Sequence, residues 1–435
     1  MKQIGYFNLI SLGCPKNRVD SEKILHAMLT AGFEHTEDTK SADILVINTC
    51  SFIQPAVEES ISAILDNASE NPDAFLIVAG CLPLRYGESL RELLPEVDLF
   101  IKPEQIGAIT ELIRSRSPEI KIAQISSCQS INPLVSSDRG AYEFNRALST
   151  PGYAYLRIAD GCDHACKFCA IPLIRGKLRS EAIDDLVREA QELTDRGVKE
   201  IVLVAQDLTS YGRDLGLKDG LIRLLEKLDL IRGIDWIRLM YLYPSGVTSD
   251  LIHTIRDSKK ILPYLDVPIQ HVSDWVLKSM GRPWRGAHAQ IKKLIDLLRS
   301  EIPEIVIRTS LMVGFPTEAD YDFDELKNFL KQFELDHVGV FTYFQEEGAP
   351  ADKLGDPIPK KVKNSRARAL RSIHSMFIKK KNKKRIGSIE QAIVEGFSEE
   401  TELLLQGRLW DQAPEIDGKL YITDGTATVG EITKV

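Results

Sequence analysis

Three cysteines lie close together in the segment GCDHACKFCA, residues 161–170. Cys162, Cys166 and Cys169 have the spacing C-x3-C-x2-C, so one tight loop carries three thiolates. Clusters that only transfer electrons are held by four cysteines. Three thiolates would leave one iron of a four-iron cluster without a protein ligand, and that iron could bind and reduce a small molecule. The spacing therefore predicts a cluster that takes part in chemistry.

A zinc site is the alternative at this loop, with His164 as the fourth ligand. The corresponding function would be a zinc-stabilised RNA-binding protein without catalysis. Zinc sites usually combine two ligand pairs separated by a longer spacer, and no second pair follows nearby. The spacing favours the iron–sulfur cluster.

Three further cysteines each end a strand-like run. YFNLISLGC ends at Cys14, ADILVINTC at Cys50 and AFLIVAGC at Cys81, and helical patterns near residues 20–31 and 55–68 separate the runs. This β–α–β alternation predicts a parallel sheet, whose carboxyl strand ends share one edge. The three cysteines should converge there as a second metal site. The alternative is that each is a small buried hydrophobic residue.

Composition limits the class of protein. The chain has 435 residues, a net charge of −8 and seven cysteines, which are not spaced as in a small disulfide scaffold. The seventh, Cys128, has no metal-site context and is interpreted as a free or buried thiol. We find no apolar run long enough to span a bilayer and expect a cytoplasmic protein. The negative charge argues against a protein coated by nucleic acid.

The rest of the chain predicts two more modules. Six strand–helix units begin at Tyr153, too few for a closed eight-fold barrel, so we predict a partial (β/α)6 barrel with the cysteine loop after its first strand. A basic, helix-prone stretch at 359–385 precedes short β-like runs that suggest a small all-β barrel. The fold class is α/β. Its predicted parts are an N-terminal domain at 1–120, a linker at 121–147, a core at 148–368 and a C-terminal domain at 369–435.

The cysteine loop, with Phe168 before its last cysteine, is similar to that of the radical S-adenosylmethionine (SAM) enzymes. As a whole the chain resembles the methylthiotransferases of that superfamily, which join a cluster-binding α/β domain, a partial barrel and a TRAM domain. Segments such as SLGCPKNRVDSE, INTCSFI, AGCLPLRY, DVPIQHVS and WDQAPEIDG resemble the RimO branch. The tRNA-modifying relatives carry a glutamine-containing GCQMN-like segment, whereas this chain has GCPKN at residues 13–17.

The resemblance implies a cofactor set and a reaction. Cys162, Cys166 and Cys169 would bind a 4Fe–4S cluster that cleaves SAM to a 5′-deoxyadenosyl radical. Cys14, Cys50 and Cys81 would bind an auxiliary 4Fe–4S cluster that carries the sulfur. The implied product is a methylthio group on the β carbon of an aspartate in ribosomal protein twelve of the small subunit. The alternative substrate is a modified adenosine in tRNA. An external electron donor such as a flavodoxin or ferredoxin would be required, and we expect a monomer.

Other candidate SAM-binding residues follow from position and resemblance. Gln206 and Asp207 end the second barrel strand, although Asp207 could equally cap a helix. The family segment along the adenine corresponds to Val313, Gly314 and Phe315, with a simple strand-to-helix turn as the alternative. After the cysteine loop come basic residues that could bind the SAM carboxylate or neutralise the cluster, or could form a solvated face; they are Arg175, Lys177 and Arg179. The sequence assigns no catalytic side chain beyond the cysteines.

Charge also bears on the substrate. From residue 387 to the end there are ten acidic and three basic residues. An acidic module repels phosphate and attracts a basic partner, and ribosomal proteins are basic. The alternative is an acidic surface that serves only solubility.

Two segments depart from the family pattern. Arg179, Ser180 and Glu181 stand where RSR is typical, and MGRPWRGA stands at 280–287, where an MRRP-like segment is expected.

Overall fold

The computed structural model describes residues 5–116, 144–282 and 286–435. The chain divides into two compact units, Met1–Ser149 with Leu173–Arg175, and Thr150–Pro172 with Gly176–Val435. The predicted order of a parallel α/β domain, a partial barrel and a small β module is confirmed. Cys128 and most of the predicted linker lie outside the described residues. In the described part of the chain, no helix is both long and apolar enough to cross a bilayer.

The first unit is built on a five-stranded sheet. Its strands are β1 (Tyr6–Ser11), β2 (Glu34–His35), β3 (Ile44–Thr49), β4 (Phe75–Gly80) and β5 (Leu99–Ile101). They are parallel and ordered β2-β1-β3-β4-β5. The helices of this unit are α1 (Pro15–Thr30), α2 (Gln54–Glu70), α3 (Cys81–Tyr86), α4 (Leu90–Leu93) and α5 (Ile109–Arg116).

Both faces of this sheet are buried. In the central strand β3, Ile44 and Val46 belong to one apolar cluster, whereas Leu45 and Ile47 belong to another. Successive side chains of a strand point to opposite faces, so an uninterrupted apolar run fits a strand covered on both sides. Helices α1 and α5 contribute to the first cluster and helix α2 to the second.

The second unit contains an open, all-parallel sheet of six strands. They are β6 (Tyr153–Arg157), β9 (Glu200–Val204), β10 (Trp236–Leu239), β11 (Ile261–Asp266), β12 (Val306–Val313) and β13 (His337–Thr342). The order β13-β12-β11-β10-β9-β6 gives one strand per predicted strand–helix unit. A two-stranded ribbon, β7 (Ala159–Asp160) with β8 (Arg179–Ser180), flanks the cysteine loop.

Helices connect these strands and continue to the C-terminal module. They are α6 (Ile171–Ile174), α7 (Ile183–Asp195), α8 (Gly220–Asp229), α9 (Ser249–Asp257), α10 (Asp274–Ser279), α11 (Ala287–Glu301), α12 (Asp320–Phe333) and α13 (Lys360–Arg385). The basic stretch is thus one 26-residue helix, and the predicted boundary at 368/369 falls inside it. The antiparallel sheet that follows is ordered β16-β15-β14-β17, with strands β14 (Gln391–Ser398), β15 (Thr401–Leu409), β16 (Leu420–Ile422) and β17 (Ile432–Lys434).

Candidate functional site

The three N-terminal cysteines lie at one edge of the first sheet. Cys14 is the N-cap of α1, three residues after β1. Cys50 directly follows β3, and Cys81 begins α3 directly after β4. Because β1, β3 and β4 are adjacent and parallel, their carboxyl ends bring the three side chains to the same rim.

Asn17 of the GCPKN segment ties these cysteine turns together. Its Nδ2 donates to the carbonyl oxygens of Leu12, at 3.1 Å, and Thr49, at 2.9 Å. Its Oδ1 lies 3.6 Å from Sγ of Cys81. The turns approach so closely that a Cβ on Gly13, which has a φ of +98°, would lie 2.7 Å from Cβ of Cys50. Glycine is therefore required before Cys14.

Arg175 belongs to the first unit and contacts this rim. Its Nη2 lies 3.2 Å from Sγ of Cys81, 2.9 Å from Oδ1 of Asn17 and 3.3 Å from a carboxylate oxygen of Asp20. Burial raises the pKa of Cys81 to about 11, and the Arg175 guanidinium opposes that rise. Burial also raises the pKa of Cys50. Arg175 therefore supplies the positive charge that a buried thiolate requires.

The C-x3-C-x2-C loop is held by backbone hydrogen bonds in the second unit. The Cys162 N–H donates to the Gly176 carbonyl at 3.1 Å, and the Lys167 N–H donates to the Met280 carbonyl at 2.9 Å. Gly161, at φ +72°, has no room for a side chain, since a Cβ would lie 2.0 Å from the carbonyl oxygen of Lys177. The side chain of Lys177 is exposed, and no contact between it and the loop sulfurs is found in the described part of the chain. Its role in binding SAM stays a prediction.

Two N–H groups are directed at sulfur atoms of this loop. Nε of Arg282 lies 3.4 Å from Sγ of Cys166, and the Ile171 N–H lies 3.4 Å from Sγ of Cys169. Burial raises the pKa of Cys162, and it raises that of Cys169 to about 12. Sequence reasoning missed Arg282, although it lies in the MGRPWRGA segment that departs from the family pattern.

Both cysteine sets fit a four-iron cluster in their donor chemistry. The described residues contain six cysteines, three in each unit, and none is in a disulfide. Among the described residues, no three His, Cys, Asp or Glu side chains lie close enough to share one metal ion. A four-iron cluster is larger than one ion and binds each thiolate at a different iron, and hydrogen bonds to its sulfurs tune its potential.

His164 has other partners than the cysteine sulfurs. Its Nε2 lies 2.7 Å from Oδ2 of Asp207, and its ring stacks on Tyr243 with a centroid separation of 3.9 Å. Arg282 lies over the other ring of this stack, 4.6 Å from the Tyr243 centroid. The imidazole is thus oriented by a carboxylate and an aromatic ring, which argues against the zinc alternative that needed it as a ligand.

The two polar residues after β9 have different surroundings. Asp207 caps the turn at residues 208–210 by accepting from the Thr209 N–H at 2.9 Å, as the capping alternative predicts. Burial opposes ionisation of Asp207, but hydrogen bonds led by His164 outweigh it and lower the pKa. Gln206 donates to Asp160 at 3.1 Å, while its Oε1 is buried without a partner among the described residues. Gln206 thus keeps an acceptor for a ligand.

The turn at 313–315 is supported by α13. Glu318, whose side chain is fully buried, accepts from the Gly314 N–H and from Nη1 of Arg366 at 2.8 Å. The side chain of Lys363 fills the space beside Gly314, where a Cβ would lie 2.2 Å from its Cγ. Burial raises the pKa of Glu318 to about 7, and Arg366 opposes that rise. The sequence did not reveal this support from α13.

Replacing Arg282 with glutamine is expected to lower the midpoint potential of the loop cluster by up to roughly 60 mV. A hydrogen bond to a charged group contributes about 1.5 kcal/mol, and about 59 mV corresponds to 1.4 kcal/mol for one electron. Redox titration followed by electron paramagnetic resonance measures the shift. Arg256→Gln, on the exposed face of α9, is the control. An unchanged potential in the Arg282 variant would contradict a bond to the cluster.

Replacing Glu318 with alanine is expected to weaken SAM binding about tenfold, because the buried Gly314 N–H loses its acceptor, which costs about 1–3 kcal/mol. Glu318→Gln keeps an acceptor and should retain most of the affinity. Equilibrium dialysis of SAM against the iron-loaded protein measures both variants. Equal binding by wild type and the alanine variant would show that this turn does not contact SAM.

Comparisons with known proteins match the chain in three consecutive parts. Family models match residues 6–102 (Uncharacterized protein family UPF0004), 156–330 (Radical SAM superfamily) and 386–435 (TRAM domain). The curated ribosomal protein uS12 methylthiotransferase RimO of Geotalea uraniireducens is 46% identical over 432 residues, covering 98% of this chain and 94% of the relative. The protein of the same name from Geobacter sulfurreducens is 45% identical, covering 98% and 95%.

A solved structure is similar in fold. The radical S-adenosylmethionine methyltransferase TsrM from Kitasatospora setae aligns with a TM-score of 0.55 and 13% identity, covering 78% of this chain and 72% of that chain. At this identity the similarity concerns the fold alone.

Proposed function

Because this chain belongs to the RimO family of radical SAM methylthiotransferases, we propose that it adds a methylthio group to the β carbon of an aspartate in ribosomal protein uS12. The family resemblance predicted from the sequence is confirmed, and the chain is a methylthiotransferase. The tRNA alternative is not favoured, since relatives named for uS12 match 98% of the chain.

The observation that carries the proposal is the grouping of cysteines in two sets of three. Cys162, Cys166 and Cys169 would hold the cluster that binds SAM. Cys14, Cys50 and Cys81 would hold an auxiliary cluster, with Asn17 tying its turns together. Bound there, these groups would supply a substrate radical and the sulfur that replaces hydrogen on an unactivated carbon, which acid–base groups alone cannot do.

Side chains around the loop would bind and orient SAM and tune the cluster. Arg282 donates toward Cys166 and stabilises negative charge on its sulfur. The free Oε1 of Gln206 could accept from an amino group of SAM. Val313, Gly314 and Phe315, supported by Glu318, would lie along the adenine. Arg175 is better suited to the auxiliary cluster than to the SAM carboxylate, because its contacts are with Cys81, Asn17 and Asp20.

Charge supports a protein substrate. The ten acidic residues after residue 387 outnumber the three basic ones. Of those three, Arg408 is buried and ion-paired, so it adds no exposed positive charge. Such a module favours a basic partner over phosphate. We further propose that the enzyme is a cytoplasmic monomer that receives electrons from a flavodoxin or ferredoxin.

The test is methylthiolation in vitro. Anaerobic, iron-loaded protein is incubated with uS12, SAM, sulfide and a chemical reductant, and peptides of uS12 are analysed by mass spectrometry. We expect one aspartate to gain a methylthio group in place of hydrogen. Total tRNA in parallel reactions should stay unmodified. Modified adenosine in tRNA with unchanged uS12 would overturn the proposed substrate.

A further inference from the structure

Helix α13 is the most basic element of an acidic protein. Its 26 residues include twelve lysines and arginines and no acidic residue, whereas the whole chain has a net charge of −8. A helix with this composition gains nothing from internal ion pairs, and its like charges repel each other. Its cations are therefore paired with other elements of the protein, bound by a partner or solvated by water.

Other elements of the second unit account for some of these cations. Lys363 and Arg366 are buried and bind Asp356 and Glu318. Three more form ion pairs with neighbouring elements; these are Lys380 with Glu334, Lys381 with Asp336, and Arg385 with Asp411. This buried or paired side of the helix supports the barrel and the C-terminal module.

Some of the remaining exposed lysines and arginines form a line along α13, on the side opposite its buried or paired residues. Lys361, Arg368, Lys379 and Lys383 are exposed, and no ion pair is found for them among the described residues. At 100° per residue they fall within a sector of about 60°, on one stripe some 33 Å long. Two exposed serines, Ser365 and Ser372, occupy the same stripe and add hydroxyl donors.

We propose that this stripe binds the phosphate backbone of RNA, and specifically ribosomal RNA next to the uS12 substrate. Evenly repeated phosphates suit a row of lysine and arginine side chains, which neutralise them and release counterions. Hydroxyl groups are also common phosphate donors. This inference rests on the proposed function for the identity of the RNA, but the phosphate chemistry follows from the helix itself.

A lipid surface fits this stripe less well. A helix that lies on a membrane requires a broad apolar face beside its basic face. Met376 is exposed just beside the stripe, and the apolar residues Ala367, Leu370 and Ile373 are buried on the other side of the helix. An acidic protein partner would need carboxylates spaced regularly along the full length of the stripe. RNA of any sequence presents phosphates at such a regular spacing.

The combination of an acidic C-terminal module and a basic helix fits a ribonucleoprotein substrate. The module, with Glu399, Glu400 and Glu402 at the β14–β15 turn, would face basic protein. The stripe of α13 would face RNA. A free uS12 molecule offers only the first of these surfaces. The assembled small subunit offers both, and we therefore infer that it is the preferred form of the substrate.

RNA binding by the intact, iron-loaded protein tests the stripe directly. The triple variant R368E/K379E/K383E is compared with wild type by fluorescence anisotropy, with a fragment of small-subunit ribosomal RNA and with total tRNA. We expect the Kd for ribosomal RNA to rise at least tenfold. With R368Q/K379Q/K383Q, the plot of the logarithm of the association constant against the logarithm of the salt concentration should become less steep, by about 0.7 for each charge removed. The glutamine set also guards against misfolding caused by charge reversal.

A matched control replaces lysines elsewhere in the same unit. Lys293 of α11 and Lys331 of α12 are exposed and have no ion pair among the described residues. K293E/K331E should leave the Kd within twofold of wild type. An unchanged Kd in the stripe variant would overturn the proposal, as would an equal loss in the control. Tighter binding of tRNA than of ribosomal RNA would overturn the assignment to the ribosome.

Activity separates this inference from the proposed function. On free uS12, the glutamine variant should be as active as wild type, because none of its substitutions touches a proposed cofactor residue. On assembled small subunits its rate should fall severalfold. Wild type that modifies neither substrate would contradict the proposed function and leave the RNA-binding result standing. Equal rates of wild type and variant on small subunits would contradict a role of the stripe in substrate choice.

Discussion

Replacing Cys14 with serine is expected to remove about half of the iron and sulfide of the protein, because two four-iron clusters contribute equally and thiolate ligation is their main attachment. Cys162→Ser should remove the other half. Iron and acid-labile sulfide are assayed in anaerobically reconstituted protein. Cys128→Ser is the control, since that thiol is assigned to neither set, and it should leave both contents unchanged.

The two cysteine variants should also differ in what they still catalyse. Cys162→Ser removes a ligand of the SAM cluster, so cleavage of SAM and methylthiolation should both fall by several orders of magnitude. Cys14→Ser should keep reductive SAM cleavage and lose methylthiolation. Loss of both clusters from either variant would indicate one shared site or general unfolding. Retained methylthiolation in Cys14→Ser would exclude the auxiliary cluster from sulfur transfer.

The position of Cys14, Cys50 and Cys81 on one rim could be predicted because it depends on topology alone. Alternating strand and helix patterns predict parallel strands, and each cysteine followed a strand. The short edge strands β2 and β5 were not predicted, since two or three residues carry no recognisable period. Both strands lie at the edges of the sheet, so they do not change which strand ends carry the cysteines.

The contacts of the arginines could not be predicted in the same way. Arg175 follows the cysteine loop in sequence, yet it belongs to the first unit and bonds near Cys81. Arg282 reaches Cys166 across more than a hundred residues of sequence. Such contacts depend on which loops meet at strand ends, and no local pattern of charge or hydrophobicity encodes that meeting.

Ion pairs between the barrel and the C-terminal module are a further feature that sequence did not reveal. Glu200 opens β9 and is fully buried, where an apolar residue would be expected. It is bonded to Arg238 of β10, at 2.6 Å, and to Arg408 of β15. The Arg408 Nε also donates to Glu395 at 2.7 Å. The sequence predicted the module, but not that its arginine completes a charge network in the barrel.

Replacing Arg408 with methionine is therefore expected to lower the free energy of unfolding by about 3–5 kcal/mol, the usual effect of removing one partner from a buried ion pair. Burial alone would raise the pKa of Glu200, but Arg238 and Arg408 outweigh it and hold the pKa below its ordinary value. The contribution of these pairs is thus present above the pKa of the unfolded carboxyl and declines as the pH falls through the folded one. Urea unfolding of wild type and variant at neutral and acidic pH measures the difference in the free energy of unfolding.

The difference between wild type and variant should shrink at acidic pH, because protonation of Glu200 removes the charge that Arg408 neutralises. An exposed pair gives the matched control: Arg188 and Asp185 of α7 are each about half exposed, so Arg188→Met should cost less than about 1 kcal/mol. Equal losses in the two variants would contradict a special role for the buried network. A loss for Arg408→Met that does not depend on pH would indicate that packing of its side chain, and not its charge, joins the module to the barrel.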